Sequence, residues 1–212
     1  MADLSRLYTA ILEGDQKTAV EVTREALAEG TPPMELISQQ MIPAMDEVGR
    51  RYECEEYFVP ELLLSARAMK GSMELLRPLL VESGQEPVGR VAIGTVKGDL
   101  HDIGKNLVAS MLEGGGFEVV DLGADVPPER FVEAVQQRGV KIVALSALLT
   151  VTMPSMKTTI EALKQAGVRE KVKIMVGGAP VTPQFATEIG ADGYSETASS
   201  AVALARSFAA QG

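Results

Sequence analysis

The chain has 212 residues, 46% of them hydrophobic and 23% charged, the mix of a soluble globular protein large enough for a real core. Its formal net charge of −9 disfavours nucleic-acid and anionic-membrane partners. No apolar run approaches the ~18 residues of a membrane span, and the N-terminus lacks the apolar segment of a signal peptide. A lone cysteine, Cys54, excludes an intrachain disulfide framework and points to a reducing, cytoplasmic setting. One His and one Cys are too few for a clustered zinc site. Any bound metal must therefore bring most of its ligands within a cofactor.

The first third of the chain reads as helix. Leu4, Leu7, Tyr8, Ile11 and Leu12 fall on one helical face. Gly14 is placed to stop that helix and Asp15 to cap the next. The second helix turns Ala19, Val20, Val22, Ala26 and Leu27 inward and stops at Gly30. Thr31-Pro32-Pro33 restarts the chain with proline in a first turn, and the third helix presents Leu36, Ile37, Met41, Met45 and Val48. A fourth starts at Pro60 and runs through Leu62, Leu63, Ala66, Met69, Met73 and Leu76. Four amphipathic helices with short connections predict a small four-helix bundle. The Met residues follow helical spacing and read as core packing. Cys54 sits among Glu53, Glu55 and Glu56, whose charges disfavour a thiolate, so it reads as structural or incidental.

Ser83-Gly84-Gln85-Glu86-Pro87-Val88-Gly89 is a polar linker. It divides the chain into domains at 1–86 and 87–212. Beyond it, apolar runs alternate with helical segments. Strands are predicted at Val91–Val96, Phe117–Leu122, Lys141–Leu148, Val172–Val176 and, weakly, Asp192–Tyr194. Helices are predicted at about Asp102–Glu113, Pro127–Gln137, Met153–Gln165, Pro183–Ile189 and Ala198–Ala209. This alternation predicts an α/β domain, a doubly wound sheet of five parallel strands. Such sheets bind ligands beyond the carboxyl ends of their strands. The loops to search follow Val96, Leu148 and Val176.

The first loop reads Gly98-Asp99-Leu100-His101-Asp102-Ile103-Gly104-Lys105-Asn106. It is not a dinucleotide fingerprint, because Gly94, Gly98 and Gly104 have the wrong spacing. It is not a P-loop either, because the glycine gap is too long and Asn106 replaces the hydroxyl. What remains is Asp99-x-His101-x-x-Gly104. A carboxylate two residues before an imidazole can hold one ring nitrogen and leave the other for a metal. Gly104 lets the first helical turn pack close to a bulky ligand. The plain alternative is that Asp99 and His101 only decorate a helix N-terminus. The second loop carries three hydroxyls, Ser146, Thr150 and Thr152, around Leu148. The third carries adjacent Gly177 and Gly178, a sign of close backbone approach.

Asp-x-His-x-x-Gly, Ser-x-Leu with downstream threonines, and Gly-Gly, in this order, resemble the cobalamin-binding domain of cobalamin-dependent methionine synthase. In the helical part, Glu47-Val48-Gly49, Tyr57-Phe58-Val59-Pro60-Glu61-Leu62 and Ser65-Ala66-Arg67-Ala68-Met69-Lys70 resemble that family's cap domain. The resemblance spans nearly the whole chain. It is closest to the stand-alone corrinoid proteins of methanol, methylamine, glycine betaine and methoxyaromatic methyltransferase systems. It implies cobalamin or a related corrinoid as cofactor, with His101 replacing the displaced base as lower cobalt ligand. Asp99 is then hydrogen-bonded to His101, and Thr152, at a position that is Ser in the compared relative, continues the relay. Gly98, Leu100, Asp102 and Gly104 complete the loop around the ligand. Ser146, Leu148 and Thr150 line the nucleotide tail, Gly177 and Gly178 make room for it, and Ala198 contacts it. Phe58 is implied as a cap residue over the methyl-bearing face. The implied function is methyl carriage: cobalt(I) takes the group from a donor-specific methyltransferase, and methylcobalt(III) gives it to an acceptor methyltransferase. The implied acceptor is a group such as tetrahydrofolate or a thiol. Oxidation to cobalt(II) calls for a reductive activase. Alternatives of other classes are a cobalamin-dependent sensor, the cobalamin-binding subunit of a mutase, and an α/β protein without cofactor.

Overall fold

A computed structural model of the chain describes residues 3–82 and 88–210. Most of the expected linker, residues 83–87, lies outside the described residues. Contacts group residues 1–87 and 113–116 into one compact unit, and 88–112 with 117–212 into a second.

The first unit is helical. α1 (Ser5–Leu12) and α2 (Gln16–Ala28) form a hairpin in which Asp15 caps α2 by accepting from the Thr18 N–H. α3 (Pro33–Leu36) runs through a π-turn (Ile37–Met41) directly into α4 (Ile42–Glu53). The third predicted helix is thus continuous but locally widened. A regular helix would need an N–H at residue 43 for the Gln39 carbonyl, and Pro43 has none. α5 (Val59–Glu82) is the longest element and packs along α2. Leu7, Ile11, Ala19, Val22, Met41, Val48, Leu62 and Met69 fill the core. Three inward assignments are corrected. Leu63 is 41% exposed. Val20 and Leu27 are only half-buried, whereas Thr23 is fully buried, donating to the Ala19 carbonyl and pairing with the Ser72 hydroxyl. A hydroxyl that finds partners inside is as buriable as a methyl group. Cys54 is exposed, and the Arg50 guanidinium, one turn earlier on α4, lies 3.8 Å from its Sγ.

The second unit is a parallel sheet in the order β2-β1-β3-β4-β5. β1 (Arg90–Thr95), β2 (Glu118–Asp121), β3 (Ile142–Ser146), β4 (Lys173–Gly177) and the two-residue β5 (Gly193–Tyr194) occur at the predicted places. α6 (Ile103–Gly114), α7 (Pro128–Arg138), α8 (Pro154–Gln165), α9 (Pro183–Ile189) and α10 (Ala198–Ala209) alternate with them. Val143, Leu145, Ile174 and Val176 point to one face, where Phe131, Met156, Ile160 and Ile189 cover them. Val91, Ile93, Ile142 and Met175 alternate to the other face and are equally buried. β3 is shorter than predicted. The Ala147 N–H still reaches the Gly177 carbonyl at 3.3 Å, after which the chain leaves the ladder and the Leu148 N–H turns to the Asp99 carboxylate instead.

Candidate functional site

Register sets the site. Thr95 pairs with Ser146, and Ser146 with Gly177, so the ends of β1, β3 and β4 lie level. β1 leads to β2 on one side and β3 to β4 on the other. The loops after β1 and β3 therefore flank the switch point of the sheet, where a doubly wound fold opens a crevice.

Asp99 joins these two loops. It has no accessible surface. Its Oδ1 accepts from the His101 backbone N–H at 3.1 Å and lies 2.8 Å from His101 Nδ1. Its Oδ2 accepts from the Leu148 N–H at 2.8 Å and the Leu149 N–H at 3.3 Å, and lies 2.7 Å from Thr152 Oγ1. Thr152 Oγ1 is also 2.8 Å from the Leu149 carbonyl, and its single proton is drawn to the charged acceptor. Burial by itself pushes the Asp99 carboxyl up. Hydrogen bonds from Thr152, the Leu148 amide and His101 outweigh that and hold it well below the usual carboxylate range. Asp99 is thus an anion that fixes the protonated nitrogen of His101 as Nδ1. The His101 side chain is half exposed, and Nε2 makes no hydrogen bond among the described residues.

The surroundings fit a bulky, largely apolar ligand. Leu100, Ile103 and Val151 are 75%, 83% and 80% exposed, and Leu148 and Leu149 join them in an apolar patch around the imidazole. Gly104 opens onto empty space. Asp102 is exposed, and its carbonyl receives the Asn106 N–H as α6 begins. The hydroxyls of Ser146 and Thr150 make no hydrogen bond among the described residues, which leaves them for a ligand. Ala198 is buried at the first turn of α10, which Thr197 and Ser200 cap reciprocally. Next to it, the Ser199 hydroxyl is buried and has no hydrogen-bond partner among the described residues. Phe58 lies in the first unit, just before α5, and is 64% exposed. The glycine pair has a local cause as well. A Cβ on Gly178 would stand 1.9 Å from the Ala147 carbonyl oxygen, so the close approach is by the chain's own backbone. Lys105, the lysine of the rejected P-loop, is committed elsewhere. Its Nζ is buried against both Asp121 oxygens at 2.7 and 2.6 Å.

Three further residues escaped the sequence reading. Thr95, fully buried, donates its hydroxyl to the His101 carbonyl at 2.9 Å. Asp125 accepts from the Gly98 N–H at 2.7 Å and gives its own N–H to the Asp99 carbonyl at 2.9 Å. Ser199 is the third. Nothing in the residue types near them signals these roles.

Fold and site together define a parallel-sheet domain, alongside a helical unit, that offers one imidazole nitrogen to a ligand at its switch point. Comparison with known proteins makes this specific. Residues 89–203 match the B12 binding domain family, and residues 4–77 match a second B12 binding domain family. The trimethylamine corrinoid protein of Methanosarcina barkeri is 47% identical over 94% of this chain and 93% of its own length. A crystal structure of a cobalamin-binding protein from Desulfitobacterium hafniense superposes with a TM-score of 0.80 at 34% identity, covering 98% of this chain and 99% of that one. A chain of the methanol:cobalamin methyltransferase complex of Methanosarcina barkeri superposes with a TM-score of 0.85 at 32% identity, over 99% of this chain and 80% of that chain. The chain belongs to the B12-binding corrinoid protein family, and its cofactor is cobalamin or a related corrinoid.

Proposed function

We propose that this protein is a methyl carrier. It takes a methyl group from a donor-specific methyltransferase and delivers it to a second, acceptor methyltransferase. When bound, the corrinoid supplies a cobalt centre to which the methyl group attaches in transit. The observation that carries the reading is the His101 ring, fixed through Nδ1 by buried Asp99 and exposing Nε2 beside an apolar patch. In this reading His101, through Nε2, would hold the cobalt. Asp99 keeps the tautomer and raises the basicity of the ring, and Thr152 holds Asp99 from its far side. Ser146 and Thr150 offer unsatisfied hydroxyls to the cofactor's tail, with Leu148, Gly177, Gly178 and Ala198 beside it. The likeness to a trimethylamine corrinoid protein makes a methylamine the first donor to test. An acceptor such as tetrahydrofolate or a thiol would then take the methyl group, and a reductive activase would recover oxidised cofactor. The single cysteine supports a cytoplasmic setting. Residues 1–86 and 87–212 act as separate domains of the carrier.

The test uses protein loaded with cobalamin and labelled with 15N-histidine. Electron-spin spectra of the cobalt(II) form should show splitting by the labelled nitrogen, and His101→Ala should lose it while retaining cobalamin. Methyl transfer should require added partner methyltransferases. A His101→Ala protein with the labelled splitting intact, or sustained turnover by the single chain, overturns the reading.

A further inference from the structure

The segment that carries His101 is held at both ends by one stretch, residues 121–126, which runs from the last residue of β2 toward α7 and contains none of the motif residues. Ahead of the histidine, the Gly98 N–H donates to Asp125 Oδ1 at 2.7 Å, and the Asp125 N–H donates to the Asp99 carbonyl at 2.9 Å. The root of the segment is tied as well. The Thr95 N–H reaches the Gly123 carbonyl at 3.0 Å, and the Val126 N–H reaches the Thr95 carbonyl at 2.9 Å. Behind the histidine, Lys105 on the first turn of α6 is 3% exposed and paired with Asp121. Asp121 Oδ1 in turn accepts from the Gly123 N–H at 2.9 Å, which closes the loop on itself.

Asp125 adopts φ +52°, in the left-handed region that residues other than glycine seldom enter. In that conformation its amide and its carboxylate both reach the Gly98–Asp99 backbone. A non-glycine residue held there marks a place where the surroundings overdetermine the backbone. The Asp99 carboxylate holds the ring nitrogen and the backbone N–H of His101, and no other part of the segment. The direction in which the imidazole is presented depends on the backbone of residues 98–105, and that backbone is what the loop restrains.

We infer that residues 121–126 brace the His101 segment, with Asp125 and Asp121 as positioning residues for the imidazole. The inference rests on the reading of His101 as the cobalt ligand, and its test separates the two. Asp125→Gly keeps the left-handed backbone without steric cost and removes the carboxylate. Asp125→Asn tolerates the same backbone and keeps an acceptor oxygen. In the protein without cofactor, hydrogen exchange at the Gly98 amide should quicken about fivefold in Asp125→Gly, the factor one modest hydrogen bond controls. Asp125→Asn should restore the wild-type rate. In cobalamin-loaded protein, the ratio of His-ligated to unligated cobalt(II), read from the 15N-histidine splitting, should fall by about the same fivefold in Asp125→Gly. It too should recover in Asp125→Asn. Lys105→Met cuts the second tie without stranding a buried charge. It should shift the ratio the same way, and it serves if Asp125→Gly fails to fold.

Unchanged exchange and an unchanged ratio in Asp125→Gly overturn the brace. So does equal impairment of the Gly and Asn variants, because the acceptor oxygen is then not the cause. Absence of the labelled splitting in the wild type fails the ligand reading instead, and the exchange rates still decide whether the brace exists.

Discussion

Asp99 takes hydrogen bonds from two loops on a carboxylate with no accessible surface, so its charge state is coupled to stability. A carboxyl depressed in the native state contributes stability that is fully present above its unfolded value of about 3.9 and is lost as pH falls through the native value. The native carboxyl here lies well below its ordinary value, after burial, which raises it, is outweighed by the Thr152, Leu148 and His101 bonds. Asp99→Asn in the cofactor-free protein should therefore cost about 2 kcal/mol at pH 7, since one amide N–H then faces donors it cannot serve. The gap to wild type should hold down to about pH 4 and narrow below it. Urea unfolding of both proteins from pH 7 to pH 3 checks this, and a gap that does not narrow assigns the loss to shape rather than charge. The Asp99–His101 pair was legible in the sequence because a spacing of two lets a side chain reach its neighbour's ring. The Leu148 and Leu149 amides were not, because every residue carries an N–H and none advertises where it points.

Among elements, the join between α4 and α5 explains the helical motif. Glu47 bonds both Arg50 and Arg51, and these guanidiniums lower its carboxyl to about 2. Arg51 stacks over Tyr57 and donates to its hydroxyl. Tyr57 donates in turn to the Leu12 carbonyl at the end of α1, and buried Ser65 on α5 donates to the same oxygen. The α4–α5 connection and α5 thus both bond one carbonyl at the end of α1. Tyr57→Phe and Ser65→Ala should each cost about 1 kcal/mol, since one donor remains to the oxygen. The double variant should cost about 1 kcal/mol more than their sum, since the carbonyl is then unpaired. A double-mutant cycle by urea unfolding measures the coupling, and strict additivity would exclude the shared carbonyl. Glu47, Tyr57 and Ser65 were visible in the sequence as parts of a resemblance. Their convergence was not, because the Leu12 side chain carries no acceptor and the oxygen they share is a backbone atom 45 and 53 residues away from its two donors.

At the scale of the whole chain, each half has its own buried apolar set, the helical one around Leu7, Met41 and Leu62 and the sheet one around Val143, Phe131 and Ile174. A chain shortened to residues 87–212 should therefore fold cooperatively and retain cobalamin, checked by urea unfolding and the visible spectrum of the bound corrinoid. Loss of folding would show the halves to be one cooperative unit. Periodicity by itself determined the helices, the order of strands and helices, and the loops in which the chemistry had to lie, because burial imposes a period of 3.6 or 2 on residue type. The resemblance of a few side chains at fixed spacing was enough to indicate the cofactor. Tertiary structure decided the rest: the pairing order β2-β1-β3-β4-β5, the meeting of Asp99 with Leu148 and Thr152, and the placement of Asp125 and Lys105 about the histidine loop. These contacts join residues 16 to 53 positions apart through backbone amides, carbonyls and ion pairs, and a linear pattern of residue types does not encode which distant groups the fold brings within 3 Å.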